Sequence, residues 1–169
     1  SGWECHSLIE ISITDINDEK PIFSMESYSV FIPEDADNGT LVTKVFATDR
    51  DKGINRKIRY SFVDSYKDHF KIEPESGIVT LMKLLDREQQ AHYNLTLKAT
   101  DMGAPSLHST INLIVNVQDI NDSPPVFTST HYAIAMSESS QNGTAIIKLQ
   151  ATSKDIGVNA ESSYSIIGG

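Results

Sequence analysis

Basic residues, cysteine and long apolar runs are all scarce in this chain. Lysine and arginine number 14 against 23 aspartates and glutamates, for a formal net charge of −9. Nucleic acid and anionic membrane surfaces both demand a basic face, so neither is an expected partner and cations are the natural one. The single cysteine, Cys5, excludes a disulfide framework within the chain. It reads as a structural thiol or one whose partner lies elsewhere, because no histidine-paired nucleophile arrangement is legible around it. No apolar stretch approaches the roughly 18 to 20 residues of a membrane span, and a polar start carrying Trp3 and Cys5 is no signal peptide. Any anchor or targeting segment is therefore expected outside this stretch. With no phosphate loop and no activated nucleophile, neither an enzyme nor a small-molecule substrate is expected.

What the chain does hold is repetition. "DINDEKPIF" at 15–23 returns as "DINDSPPVF" at 119–127, an offset of 119 − 15 = 104 residues. The same offset sets Tyr28 on Tyr132, Glu34 on Glu138, Asn38-Gly39-Thr40 on Asn142-Gly143-Thr144, Asp51 on Asp155 and Tyr60 on Tyr164. A period near 100 residues is a common domain size. We therefore expect a tandem array, with residues 1–18 the C-terminal tail of one unit, 19–122 a complete unit, and 123–169 the N-terminal part of a truncated third. That third part lacks the strands that would pair with "HYAIAMSE" and "AIIKLQATS", so its apolar faces are expected to stay open.

Within the complete unit the apolar residues alternate. Tyr28, Val30 and Ile32 do so, as do Ile58, Tyr60 and Phe62, then Tyr93, Leu95, Leu97 and Ala99, then Ile111, Leu113, Val115 and Val117. This is the period of half-buried strands. Turn signals at "DNGT", "DKGIN", "PESG" and "MGAPS" separate them. About seven short strands in roughly 100 residues predict an all-β fold, an antiparallel Greek-key β-sandwich repeated in tandem. Asn-x-Thr triplets at Asn38, Asn94 and Asn142 are sugar acceptors if the chain passes through the secretory pathway. Two of them recur at the same "NGT" turn of the repeat.

The strands leave the carboxylates unexplained. Glu34 follows Pro33, Asp49 and Asp51 stand in "DRD", Asp86 and Glu88 in "DRE", Asp101 in "ATDMGAP", and Asp119, Asn121 and Asp122 precede Pro124-Pro125. Most lie at strand ends or turns, where distant stretches of sequence can converge at one pole of a sandwich. Paired carboxylates can serve glycoside hydrolysis. Here, though, oxygens recur at one period, without cleft-forming insertions and with no Lys, Arg or His expected to sit among them, which suits a hard cation better. Calcium takes about six to eight oxygens in flexible geometry, backbone carbonyls included.

The set "PE" (33–34), "ATDRDKGIN" (47–55), "LDRE" (85–88), "ATDMGAP" (99–105) and "DINDSPPVF" (119–127) resembles the extracellular repeats of the cadherin family in wording, order and spacing, and the resemblance covers the whole chain. The stretch "ATSKDIGVNAESSYSII" of the third unit is most similar to the giant Fat-type atypical cadherins, and carries Ser153 where the second unit has Asp49. The resemblance implies that the opening motif is a linker between repeats holding up to three calcium ions. Carried over, the junction at 119–123 would use Glu34, Asp86, Glu88, Asp119, the Ile120 carbonyl, Asn121, Asp122, the Ser123 carbonyl, Asp155 and the Asn159 carbonyl. The earlier junction would use Asn17, the Glu19 carbonyl, Asp49, Asp51, the Asn55 carbonyl and Asp101, with Asp15 and Asp18 in its depleted half. Serine is a neutral, weaker ligand than aspartate, so the third ion at the junction containing Ser153 is expected to bind weakly.

The function implied is calcium-dependent adhesion or recognition between cells, in the extracellular part of a plasma-membrane protein. Partners would be cadherin ectodomains on the same or an opposing cell, homophilic or heterophilic. The alternative is a passive calcium-stiffened spacer whose binding surface lies in other repeats. Some family members adhere by exchanging an N-terminal tryptophan. Trp3 aligns by the offset with Leu107 (3 + 104), ahead of a unit's last strand, and so reads as an internal-repeat residue and no adhesive anchor.

Overall fold

Period-two alternation becomes two facing sheets. The computed structural model describes residues 2–63 and 68–168. Its main body runs through β1 (Ile22–Phe23), β2 (Tyr28–Pro33), β3 (Leu41–Lys44), β4 (Ala47–Thr48), β5 (Ile58–Phe62), β6 (Phe70–Ile72), β7 (Ile78–Leu81), β8 (His92–Asp101) and β9 (His108–Gln118). One sheet has the order β2-β9-β8-β5 and the other β3-β7-β6, with β1 paired to β4. These nine segments reduce to the seven strands expected, because the first strand is broken between β1 and β2 and the second between β3 and β4.

The pairing is antiparallel throughout this body except between β2 and β9, which run parallel. The break in the first strand explains it. β1 lies antiparallel to β4, and the chain then crosses to the opposite sheet without reversing, which sets β2 alongside β9 in the same direction.

The alternating residues face inward as read. Leu95, Leu97 and Ala99 of β8 and Leu113 and Val115 of β9 are fully buried, and they pack with Ile32, Val45, Tyr60, Phe70, Val79, Leu81 and Tyr93 in one core. The "PESG" turn is tight because Gly77 holds a φ of 68°, and a Cβ there would collide with the Val45 carbonyl. The close approach lets the Val45 N–H donate to the Gly77 carbonyl at 2.9 Å.

Past the linker the same local geometry begins again. β10 (Val126–Phe127) pairs with β11 (Ala151–Thr152) in the register that β1 keeps with β4, shifted by the repeat offset. The Tyr164 hydroxyl accepts the Ala151 N–H at 2.8 Å, as the Tyr60 hydroxyl accepts that of Ala47 at 2.8 Å. Gly39 and Gly143 share φ values of 88° and 87°. Tyr132, Ile134, Met136, Ile146, Ile147 and Leu149 are all partly or largely exposed, and residues 129–150 carry no strand. Among the described residues no helix is long and apolar enough to cross a membrane.

Candidate metal centres

The strand ends deliver acidic side chains to both poles of the sandwich. Glu34 follows directly on β2, the 85–88 turn comes after β7, and Asp119 stands just beyond β9. At the opposite pole, Asp49 and Asp51 follow β4, Asp101 closes β8, and Asn17 and Glu19 lead into β1. Glu34, Asp49, Asp51, Asp101 and Asp155 are all buried. Burying a carboxylate costs several kcal/mol in order of magnitude unless charge or hydrogen bonds compensate it.

At the junction around 119–123 Glu34 is held on both oxygens, by the Arg87 N–H and the Ile120 N–H, each at 2.9 Å. Ligand oxygens of Glu34, Glu88 and Asp122 lie within 4.8 Å of one another, and so do those of Glu88, Asp119 and Asp155. Glu34, Asp86, Glu88, Asp122, Ser123 and Lys154 line a cavity of about 230 Å³ there. Asp86 is on its wall, but both its oxygens accept hydrogen bonds from Gln89. Asn121 and Asp122 are exposed, and the Ile120 carbonyl accepts the Asp122 N–H at 3.0 Å.

Residues 153–159 reach back to the 119–123 segment. Asp119 Oδ2 accepts the Ile156 N–H at 3.1 Å and the Asn159 side-chain amide at 2.9 Å. Asp155 Oδ1 accepts the Ser123 N–H at 3.1 Å, while its Oδ2 is buried with no hydrogen-bond partner. Ser153 donates its hydroxyl to the Ser123 carbonyl at 2.7 Å and accepts the Asp155 N–H at 3.0 Å. In the second unit Asp49 Oδ1 takes the equivalent N–H, that of Asp51, at 2.9 Å.

The expectation that no basic residue would sit among the carboxylates is overturned by Arg87. Its Nε donates to Asp119 and its Nη2 to Glu88, each at 2.6 Å. The reason is reach. Arg87 is flanked by Asp86 and Glu88, yet its long stem carries the planar fork across to the linker. Burial works against the guanidinium charge, but Asp119 and Glu88 outweigh it and raise the Arg87 pKa. Burial likewise pushes Asp119 up, and donors from Asn159, the Ile156 N–H and Arg87 bring it below its ordinary value. Glu88 is raised, by burial and then by the charges of Glu34 and Asp122, in spite of Arg87.

The first junction repeats the pattern. Asp15 Oδ2 accepts the Lys52 N–H at 2.9 Å and the Asn55 side-chain amide at 3.1 Å, matching Asp119 with Ile156 and Asn159. Glu19 donates its N–H to Asp51 at 3.3 Å. Asn17 donates to Asp101 at 3.2 Å and to the Pro105 carbonyl at 2.7 Å. Gly103 makes this approach possible, since a Cβ there would collide with the Asn17 carboxamide. Asp18 is exposed. Asp51 is raised, by burial first and then by the charges of Asp49, Asp15 and Asp18. Asn17 Oδ1 and Asp49 Oδ2 are buried without a hydrogen-bond partner.

These orphaned atoms are the test of fit for a cation. Asn17 Oδ1, Asp49 Oδ2 and Asp155 Oδ2 can only accept, and native structures rarely leave such atoms unpaired. A hard cation at each of the two sites would satisfy these atoms, so the residues present fit calcium. The three sequons lie apart from the junctions on exposed positions, Asn38 and Asn142 in the glycine turns and Asn94 facing outward on β8. Cys5 and Trp3 are exposed as well.

Comparison with known proteins gives a consistent result. A cadherin-domain family model matches residues 28–118. The chain is 50% identical over 166 residues to the Fat-like cadherin-related tumor suppressor homolog of Drosophila melanogaster, covering 98% of this chain and 4% of that protein. It is 48% identical over 169 residues to protocadherin Fat 1 of Homo sapiens, covering 99% of this chain and 4% of that protein. The chain thus spans a small part of the relatives it matches. Among solved structures, mouse cadherin-23 EC22-24 superposes with a TM-score of 0.81 at 35% identity, covering 87% of this chain and 47% of that one. Protocadherin gamma B2 extracellular cadherin domains 3-6 give a TM-score of 0.79 at 30% identity, over 88% and 38%.

An orphaned carboxylate predicts opposite effects of one substitution in two solutions. Asp49→Asn removes a buried charge beside Asp51, so in chelator the melting temperature should stay level or rise. In saturating calcium it should fall below wild type by several degrees, at about 4–8 °C per kcal/mol lost. Calorimetric melts with and without calcium check this, and a parallel shift in both solutions would show that Asp49 does not serve a cation.

Proposed function

The chain belongs to the cadherin family, and on that premise we propose that it is a stretch of extracellular repeats serving calcium-dependent adhesion or recognition between cells. The family's domains are adhesion modules and not enzymes. We take residues 1–18, 19–122 and 123–169 as parts of three successive repeats, and the two acidic poles of the complete one as the junctions between them.

The observation that carries the reading is that both poles hold buried carboxylates and an acceptor oxygen with no partner, and that at the second the carboxylate oxygens group within 4.8 Å of one another. Bound calcium would supply the positive charge that draws these oxygens together. At the second junction Glu34, Asp86, Glu88, Asp119, Asn121, Asp122 and Asp155, with the carbonyls of Ile120, Ser123 and Asn159, are the proposed ligands. Asn17, Asp49, Asp51 and Asp101, with the carbonyls of Glu19 and Asn55, serve the first, and Asp15 and Asp18 complete its linker side. Asn55 and Asn159 orient the linker carboxylates through their side-chain amides, which leaves ligation to their backbones. At the second junction Ser153 spends its hydroxyl on the Ser123 carbonyl, which supports a third ion bound more weakly than the other two.

A junction braced in this way fixes the angle between neighbouring repeats, so a long array can carry force and present its surfaces. Such a chain lies outside the cell in a plasma-membrane protein and meets cadherin ectodomains on the same or an opposing cell. The exposed sequons at Asn38, Asn94 and Asn142 are proposed glycan sites in that compartment.

Two measurements test this reading. In calorimetric calcium titration Glu34→Ala should lower affinity at the second junction by roughly tenfold or more, in line with the dependence on ligand charge, while Asn38→Ala should leave the isotherm as in wild type. Indistinguishable isotherms would remove Glu34 from the site. Sedimentation of the chain with and without calcium addresses recognition. Calcium-dependent self-association is the result expected of a homophilic segment, whereas a strict monomer in both conditions excludes homophilic binding and leaves spacing or a heterophilic partner.

A further inference from the structure

Arg87 ties together three parts of the chain, the complete unit, the linker and the following unit. Its side chain is about one-tenth exposed. Nη2 donates to Glu88 within the complete unit at 2.6 Å, Nε to Asp119 of the linker at 2.6 Å, and Nη2 again to the Lys154 carbonyl of the following unit at 3.0 Å. Glu88 and Asp119 are the two carboxylates that group with Asp155. The chain thus places a cation of its own against the oxygens proposed to receive calcium.

We propose that Arg87 is a built-in counter-cation of the second junction, which keeps the two units docked when calcium is low and competes with calcium for Glu88 and Asp119. The inference rests on the reading of this junction as a calcium site and assigns a residue that tunes it. A nearly buried guanidinium is tolerated only when its donors are paired, and here the pairs are charge-assisted and short. The next unit holds Asp119 by one oxygen, through Ile156 and Asn159, and Arg87 holds it by the other. At the first junction Asp15 has the equivalent hold from Lys52 and Asn55. Arg87 adds to that recurring half-clamp a bond back to the preceding repeat. Its positive charge offsets part of the repulsion among Glu34, Glu88 and Asp122, so the calcium-free junction need not splay. By the same charge it lowers the attraction for an incoming cation.

The test uses the whole chain as wild type, Arg87→Met and Arg87→Lys. Methionine keeps much of the apolar stem and removes the charge, while lysine keeps the charge without the planar fork. In chelator, hydrogen exchange at the Ile156 amide should speed up by at least about fivefold in Arg87→Met, the lower range of typical coupling between sites. The amides of Leu97 and Leu113 should exchange as in wild type, which shows that the sandwich is intact. In calcium titration Arg87→Met should bind about fivefold more tightly or better, with Arg87→Lys between it and wild type. Unchanged or weaker calcium binding in Arg87→Met, with Ile156 exchange unaltered, overturns the proposal. A wild-type chain that binds no calcium at this junction overturns the calcium reading on which it rests, and the two failures are told apart by the wild-type isotherm alone.

Discussion

Repulsion between like charges held at the two poles of the sandwich is the constraint on which the rest depends. Two unit charges 4 Å apart at an effective dielectric near 20 repel by roughly 4 kcal/mol. Each pole gathers several carboxylates, and their buried members cannot escape into water. The fold pays this cost because the β-sandwich fixes where its strands end. Glu34, Asp101 and Asp119 cannot retreat without unravelling β2, β8 or β9. The linker is the compliant part, and whatever neutralises the carboxylates decides how firmly it joins the repeats.

Neutralisation is partly internal. Backbone N–H groups serve Glu34, side-chain amides and N–H groups from the next unit serve Asp119, and Arg87 brings a full positive charge. These bonds place the oxygens but leave Asp49, Asp155 and Asn17 each with an acceptor atom unfilled. The architecture is thus preorganised and incomplete, as expected of a site that gains stability from a ligand it holds only when folded. The same bonds recur at one offset, Asp15 with Lys52 and Asn55 and then Asp119 with Ile156 and Asn159, so the arrangement follows the sequence motif and is not peculiar to one place in the chain.

Much of this was legible in the sequence. Period-two alternation placed Leu95, Leu97, Leu113 and Val115 in the core, because a strand offers only two faces. The recurrence of "DIND" pointed to bonds that return at the same offset, Asp15 with Lys52 and Asn55 and Asp119 with Ile156 and Asn159, and acidic residues at strand ends pointed to the poles. The parallel pairing of β2 with β9 was not legible, since alternation is blind to direction and the crossing between sheets occurs in a short break. Arg87 escaped for a different reason. Residue order put it between two acidic neighbours, but which way a long side chain turns depends on what the fold brings opposite, here Asp119 and Lys154. The contribution of Gly103 was hidden likewise, as the absence of a side chain matters only once Asn17 is seen above it.

Cations are what these half-filled oxygen clusters are proposed to take up. Equilibrium dialysis of the intact chain against labelled calcium counts them directly. At least two ions should be bound per chain at saturation, two of them at the second junction, with any more at the first or in the weaker third position of the second. A chain that retains none at millimolar calcium would contradict it.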